Sequence, residues 1–434
     1  MALRYIPEGM SAELTKSRQT QPAVAAVDAG LEMRIWLNEG LPDAGCFMHK
    51  PGDPGIVYAL AFLDGAGNRL AYGGSRVSGI LSLRKTGQLV VKDDSVALPE
   101  GIRALAVDRN FDRLLIATRC KERGEKCTQP SSWTLDLHSE SAGRPTPLPK
   151  DMHTDGQWAA AIDPAGTTFV TAGWDKRVVV WKLHDWGAPV LLKTLDSNLG
   201  HLSPMLSAAI HPVTGEIATG TKDGTVLVWR ESASGLWSAT LLLDTRSSAT
   251  TPSPIWALAY SPDGNRLIAG DDNGFLWICD INKDGTVSRC PQVSAHQGAV
   301  FAIKFGSNDT MATGGSDGLV YLWTGNPLDR RRLRLDGPSE EVMSIAISAS
   351  GNLLAAGDTT GVIHFWALGL DGLIQHACSK MRRNLSWAEW KNFMGDDEYE
   401  CTCPTLPPGR GVSVDKLSKN HQCQIGIGES YTRH

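Results

Sequence analysis

The chain has 434 residues, 42% of them hydrophobic and 21% charged, with 45 glycines, 23 prolines and a formal net charge of −5. That composition fits a turn-rich globular protein, and the mild acidity argues against electrostatic capture of nucleic acid or of an anionic membrane. No apolar run approaches the ~18 residues that span a bilayer, and MALRYIPEGM has no charged segment leading into an apolar one, so the expectation is a cytoplasmic protein without signal peptide or membrane span.

At the N-terminus, Ala2 to Ile6 could form a strand, and Glu8 to Gln21 is polar without a clear period. Ala23 to Val27 and Met33 to Leu37 then read as two strands, the second ending on Trp36. Seven fuller repeats follow, of short apolar strands bounded by Gly, Asn and Asp. The clearest is SAHQGAVFAIKFGSNDTMATGGSDGLVYLW, Ser294 to Trp323, with strands Val300 to Phe305, Met311 to Gly314 and Leu319 to Trp323. Three strands with one buried face are marginal alone, so the unit needs copies to pack against. Closing positions recur at Trp36, Leu83, Leu135, Trp181, Trp229, Cys279, Trp323 and Trp366, a spacing in the forties to low fifties. A period near 40–45 with four short strands marks a propeller blade.

The repeats resemble those of WD-repeat β-propellers. The likeness rests on His296, Thr313, Asp317 and Trp323, and it recurs as His153, Thr171, Asp175, Trp181 and as His201, Thr219, Asp223, Trp229. From Thr to Asp is four residues and from Asp to Trp six in all three. A buried indole can only donate, and a Thr hydroxyl can accept from it and pass a hydrogen bond onward. The family pattern continues the chain through His to Asp, which makes these residues structural and not catalytic. The sixth repeat has Ala269, Asn273 and Cys279 where the pattern wants Thr, Asp and Trp; the eighth has Thr360 for Asp. Blade repeats fall near 22–50, 56–98, 101–150, 157–197, 205–245, 255–292, 299–336 and 341–368, within a propeller spanning 1–368. Eight blades are expected in preference to seven, with Ala2 to Ile6 completing the last one.

Nine cysteines in a cytoplasmic protein are expected as thiols. Cys120 and Cys127 straddle Arg123-Gly124, and Cys279 and Cys290 straddle Asp284-Gly285. With two-residue turns both pairs fall at hydrogen-bonded positions, the wider of the two cross-strand sites, so free thiols are again expected.

Residues 369–434 form a tail of different character. Leu373, Ile374, Ala377, Cys378 and Met381 mark one helical face. Ser386 with Glu389 is a capping box, Leu385 with Trp390 fits a hydrophobic staple, and Gly395 is a stop, which predicts a helix over Trp387 to Met394. Cys378, Arg383-Asn384-Leu385-Ser386, Glu389-Trp390, Gly395, Tyr399 and Thr402-Cys403-Pro404 resemble the tail of bacterial multidomain proteins that join a signalling NTPase, protease or kinase to WD repeats. That resemblance implies a bacterial source, a true C-terminus and an effector module as partner.

The chain contains no GxxxxGK[ST], HExxH or GxSxG, and no cofactor is expected. Cys378, Cys401, Cys403, His421 and Cys423 depart from paired zinc spacings, leaving a Cys378–Cys403 bridge or close packing, or unrelated thiols, as the other readings. The basic run Arg330 to Arg334 falls on an outer edge strand, where charge discourages strand-to-strand aggregation. Aligning the innermost strands places Tyr58, Arg103, Trp158, Leu206, Trp256, Phe301 and Met343 at one register. In WD-repeat propellers that register rings the mouth of the channel. Each residue alone could be core; together they are the types enriched at interface hot spots. Trp174, Lys222 and Asp272 fall beside them. The expected function is a non-catalytic platform that binds a peptide, loop or partner domain in a signalling or defence-type assembly, the partner being an effector protease, NTPase or regulator module. The contrary class is a propeller enzyme, hydrolase or quinoprotein.

Overall fold

A computed structural model describes residues 24–27, 33–36, 46–49, 55–86, 88–93, 98–108, 110, 113–119, 132–137, 145–148, 153–183, 189–195, 203–247, 252–282, 285–287, 289–306, 310–324, 332–335, 337–368, 384–394, 399, 401, 403 and 410–412. Two compact units are distinguished: one comprises Cys46–Lys85 and Leu89–Trp366, the other Met1–Gly45, Thr86–Gln88 and Ala367–His434.

The larger unit is a propeller of seven four-stranded antiparallel sheets. Blade 1 is built from Val57–Phe62, Arg69–Gly74, Ser78–Thr86 and Gln88–Asp93. Blade 2 uses Ile102–Val107, Arg113–Thr118, Ser132–Asp136 and Thr146–Pro147. Blade 3 comprises Gln157–Ile162, Thr168–Gly173, Val178–Lys182 and Val190–Leu195. Blade 4 contains Met205–Ile210, Ile217–Thr221, Thr225–Glu231 and Trp237–Asp244. Blade 5 has Ile255–Tyr260, Arg266–Asp271, Phe275–Asp280 and Gln292–Ser294. Blade 6 runs through Val300–Phe305, Thr310–Gly315, Val320–Thr324 and Arg332–Leu335. Blade 7 takes Val342–Ile347, Leu353–Asp358 and Ile363–Ala367, and its fourth strand is Cys46–His49 from the N-terminal side.

The expected eighth blade is therefore corrected to seven. Among the described residues, Val24–Val27 and Met33–Trp36 pair only with each other, as a two-stranded sheet. The strand that completes the last blade is Cys46–His49, aligned so that Cys46 faces Trp366 and His49 faces Ile363. Ala2 to Ile6, expected in that role, lies outside the described residues. The innermost strands touch in sequence and the seventh meets the first, so the ring is closed without a further sheet.

Small residues allow that closure. The Ser344 hydroxyl donates to the Val57 carbonyl at 3.0 Å, joining blade 7 to blade 1, and Ser207 does the same to Ile255 between blades 4 and 5. A Cβ at Gly357 would fall 2.4 Å from the Val57 side chain, and one at Gly314 2.5 Å from Val342, so neighbouring blades approach to backbone contact there. The core lies between blades. Val57, Leu60 and Phe62 pack with Leu353, Ile363 and Phe365 of blade 7, while Ala59 and Ala61, on the other face of the same strand, join Ile102, Leu105 and Leu114 of blade 2. Both faces of each inner strand are thus buried, and its open edge faces the channel.

The smaller unit contains the helix Trp387–Met394. The Ser386 amide and hydroxyl both donate to Glu389 Oε2, at 2.7 and 2.9 Å, and the Glu389 amide returns to the Ser386 hydroxyl at 3.3 Å. Those are the reciprocal bonds of a capping box. Trp390 and Tyr399 are buried ring against ring, with centroids 4.9 Å apart, and Leu385, Trp387, Cys401 and Val412 complete a small core. Asn384 donates to the Cys403 carbonyl at 3.0 Å and accepts from its amide at 2.8 Å. Cys401 and Cys403 each take part in a disulfide, which corrects the expectation of thiols at these positions. Cys378, Gly395, His421, Cys423 and the expected first helix around Leu373 to Met381 lie outside the described residues.

Cys279 and Cys290 form a disulfide with Cα atoms 4.2 Å apart, which corrects the expectation of free thiols at this pair. The loop is not a two-residue turn: the Gly285 amide reaches the Asn282 carbonyl at 2.9 Å, and Ile281 pairs with Val287 one register off. The Ile278 amide donates to the Pro291 carbonyl at 2.9 Å, so the next pair outward, Cys279 and Cys290, takes the close, non-hydrogen-bonded site. Cys120 and Cys127 lie outside the described residues.

Candidate functional site

Every innermost strand begins with a β-bulge. The register shifts between Val57 and Ala59, Ile102 and Ala104, Gln157 and Ala159, Met205 and Ser207, Ile255 and Ala257, Val300 and Ala302, and Val342 and Ser344. The residue left over in each case is Tyr58, Arg103, Trp158, Leu206, Trp256, Phe301 or Met343. A bulged residue has no cross-strand partner and its side chain is re-aimed. All seven turn into a single cavity of about 150 Å³. That volume elsewhere accommodates a benzene-sized molecule.

The aromatic side chains reach one another between neighbouring blades and, around Trp158, across blades that are not neighbours. Trp158 of blade 3 lies 5.9 Å from Trp256 of blade 5 and 6.3 Å from Tyr58 of blade 1, and Trp256 lies 5.6 Å from Phe301 of blade 6. They converge over the mouth of the channel as one cluster, where the alignment alone suggested a spaced ring. Edge-to-face and tilted pairs at these distances stabilise by about 0.5–1.5 kcal/mol each. The cluster is half-buried, except for Leu206, which is buried. The Arg103 guanidinium sits 3.7 Å from the Tyr58 ring centroid and 4.5 Å from that of Trp158. Burial lowers the Arg103 pKa, and the Tyr58 hydroxyl partly opposes that shift.

The flanking hairpins extend the cluster. Trp174 lies 6.2 Å from Trp158, and exposed Lys222 covers the Trp174 ring at 4.8 Å. The Trp256 indole donates to exposed Asp272 at 2.7 Å, which fixes the orientation of the ring. The cavity wall also includes Lys304, which the alignment did not single out. Its signal was present in the inner strands, VYALAF, IRALAV, QWAAAI, MLSAAI, IWALAY, VFAIKF and VMSIAI, where the fifth position is Ala in six blades and Lys in one. Lys304 is reachable by water but walled by protein, and that desolvation lowers its pKa.

The three expected tetrads differ in completeness. In blade 6 the Trp323 indole donates to Thr313 at 2.9 Å, Thr313 lies 2.9 Å from His296 Nε2, and His296 Nδ1 lies 2.9 Å from Asp317. A neutral histidine that accepts from Thr and donates to Asp satisfies the whole chain. In blade 3, His153 lies 2.9 Å from Thr171 and 3.0 Å from Asp175, but the buried Trp181 indole nitrogen has no partner; it stacks on Phe169 at 5.7 Å. The expected Trp181-to-Thr171 link is therefore not made. In blade 4, Trp229 donates to Thr219 at 2.9 Å, Asp223 turns to Thr221 and Thr225, and His201 lies outside the described residues.

Blades 5 and 7 use a different tie, missed in the sequence. The Trp277 indole donates to Asp271 at 2.9 Å, and His364 Nε2 lies 2.8 Å from Asp358. Each Asp also caps the following turn through backbone amides, Asn273 and Phe275 in one, Thr360 and Val362 in the other. The signal was an Asp at the end of the second strand, two residues before the usual position. In the basic run, Arg332 is not a free edge charge: it lies over Tyr321 at 4.1 Å and Trp323 at 5.2 Å and donates to the Ala295 carbonyl. Arg330 and Arg331 lie outside the described residues.

Seven four-stranded blades, a completed last blade and these internal hydrogen-bond chains define a WD-repeat β-propeller. Comparison with known proteins supports that class. The family described as WD domain, G-beta repeat matches residues 150–182, 190–230 and 330–367, and the anaphase-promoting complex subunit 4 WD40 domain matches 214–308. The 190–230 match runs from the outer strand of blade 3 through three strands of blade 4, so the sequence repeat bridges two blades. The 77 kDa echinoderm microtubule-associated protein of Strongylocentrotus purpuratus is 22% identical over 58% of this chain and 38% of its own length. WD repeat-containing protein 1 of Gallus gallus is 32% identical over 27% of this chain and 18% of its own, and ribosome biogenesis protein ytm1 of Aspergillus terreus 28% identical over 28% and 27%. The chain thus spans well under half the length of these relatives.

Proposed function

We propose that the propeller is a non-catalytic protein-binding platform that holds a peptide, loop or partner domain at the aromatic cluster over its channel. The observation behind this reading is the convergence of seven bulge residues, one per blade, on one cavity. Half-exposed Trp, Tyr, Phe, Met and Arg on a rigid ring lose little entropy on binding and are the residue types of interface hot spots. A hydrolase or quinoprotein would place acids, bases or metal ligands there. Among the described residues lining the cavity, none is Asp, Glu, His or Cys.

The tail supports the finer proposal of an effector protease, NTPase or regulator module as partner, in a bacterial signalling or defence-type assembly. Of its quoted residues, Leu385, Trp390 and Tyr399 share a small core, Asn384 is hydrogen-bonded to Cys403, and Ser386 to Glu389. The four disulfide-bonded cysteines favour an oxidising compartment over the cytoplasm expected from composition. The test is affinity purification of the full chain from its own cells with quantitative mass spectrometry. A protein retained by the parent and lost by Trp158→Ala and Trp256→Ala supports the platform; identical partner sets from folded variants refute it.

A further inference from the structure

Two of the channel's departures from its own repeat pattern introduce a charge, and both charges are cationic. The fifth residue of the inner strand is alanine in six blades and Lys304 in blade 6; the second is apolar or aromatic in six and Arg103 in blade 2. Both line the cavity. Arg103 Nη1 is buried without a hydrogen-bond partner. No ion pair joins Lys304 or Arg103 to any described residue, and no described lining residue is acidic. The nearby groups that act on Arg103 are the Tyr58 hydroxyl and the like-charged Arg119. A buried guanidinium nitrogen without a partner is costly, and the cost is recovered when a ligand supplies an acceptor of opposite charge; Lys304, open to water, adds positive charge to the same cavity. This cationic cavity sits in a molecule whose net charge is −5.

We infer that the cavity takes an acidic side chain of the partner, a Glu or Asp set among apolar residues, with its carboxylate on Arg103, drawn also by the positive charge of Lys304, and its flanks on Trp158, Trp256 and Phe301. This rests on the protein-binding reading above and specifies the chemistry of the bound segment. A carboxylate entering the cavity gains charge-assisted hydrogen bonds from Arg103, including its unpartnered Nη1, and the attraction of Lys304. The flanking apolar residues cover the half-exposed rings.

The test uses the full chain against peptide pools in which a central Glu, Gln, Lys or phosphoserine is flanked by randomised Leu, Val, Phe and Ala. Selected peptides are then titrated by fluorescence anisotropy at low and high salt. The Glu pool should be enriched over the Gln and Lys pools. Lys304→Ala and Arg103→Leu should each weaken the selected Glu peptide by about tenfold or more and erase its advantage over the Gln version. Lys304→Ala installs the residue that six blades already carry, and an unchanged Tm shows that the loss is not unfolding. A Gln or Lys pool bound as well as Glu, no binding by any pool, or parent-like affinity in Lys304→Ala overturns the inference. Preference for phosphoserine over Glu overturns the carboxylate occupant in favour of a phosphopeptide. Loss of charge preference with binding still abolished by Trp158→Ala leaves the platform standing; intact peptide binding in folded Trp158→Ala refutes the platform itself.

Discussion

Trp181 and Trp323 close equivalent strands and are both buried, yet only Trp323 has an acceptor for its indole. Trp323→Phe should therefore cost about 1–3 kcal/mol more than Trp181→Phe, because it strands the Thr313–His296 chain while the other removes an orphaned donor. Chemical denaturation of the two variants checks this, and equal losses would contradict it. Asp317→Ala should cost about 1–3 kcal/mol by leaving His296 and the Gln297 amide without an acceptor. Burial pushes the Asp317 carboxyl up, but hydrogen bonds from His296, Gln297 and Leu319 outweigh it, so the folded pKa lies below the usual carboxylate range. A depressed folded pKa contributes stability that is present above the unfolded value, about 3.9, and is lost as pH falls through the folded one. The stability gap between parent and Asp317→Asn should hold at neutral pH and shrink below about pH 4. A gap independent of pH would refute the assignment.

At the scale of the element, blade 5 shows how a departure from the repeat is compensated. Cys279 fills the buried slot of the closing tryptophan, and its bond to Cys290 ties the two arms of the outer hairpin, while Trp277 and Asp271 replace the missing Thr–Trp link. Closing an 11-residue separation contributes about 3 kcal/mol in the chain-entropy picture. Reduction, or Cys279→Ala with Cys290→Ala, should lower stability by about that amount. Alkylation before and after reduction, read by mass spectrometry, should show both thiols protected until reduced. In the tail, Trp390→Ala removes the ring that packs on Tyr399 and keeps only the backbone amide that donates to the Ser386 carbonyl. Amide exchange across Trp387–Met394 should become fast in that variant. Unchanged protection would show that the capping box alone holds the helix.

At the scale of the propeller, the binding surface depends on seven strands starting with the same irregularity. Trp158→Ala and Trp256→Ala should each weaken the natural partner by about tenfold or more while the Tm moves little. Exposed Lys193→Ala on the outer strand of blade 3 is the matched control and should leave affinity unchanged. The opposite pattern would place the interface on the outer rim. A Tm collapse in both tryptophan variants would make the cluster core, since each ring packs on two or more others.

What the sequence determined by itself is what short-range chemistry carries. Period-two apolar runs, Asp-Gly turns such as that at Gly318, and the fixed offsets from Thr313 to Trp323 fix strands and repeat length locally. The capping box at Ser386 is local in the same way. The register of Tyr58 through Met343 was legible because each blade repeats it. What only the tertiary structure decided depends on partners far apart in the chain. The blade number turned on Cys46–His49 hydrogen-bonding to Ile363–Ala367, a pairing across more than 300 residues that no local pattern encodes. Equivalent tetrads diverged because a hydrogen bond needs its acceptor at the right distance, and Trp181 finds none where Trp323 does. The Cys279–Cys290 bond turned on a one-residue register shift in its loop. The aromatic cluster exists because seven bulges on separate strands aim at one axis, and only closure of the ring brings Trp158 to Trp256.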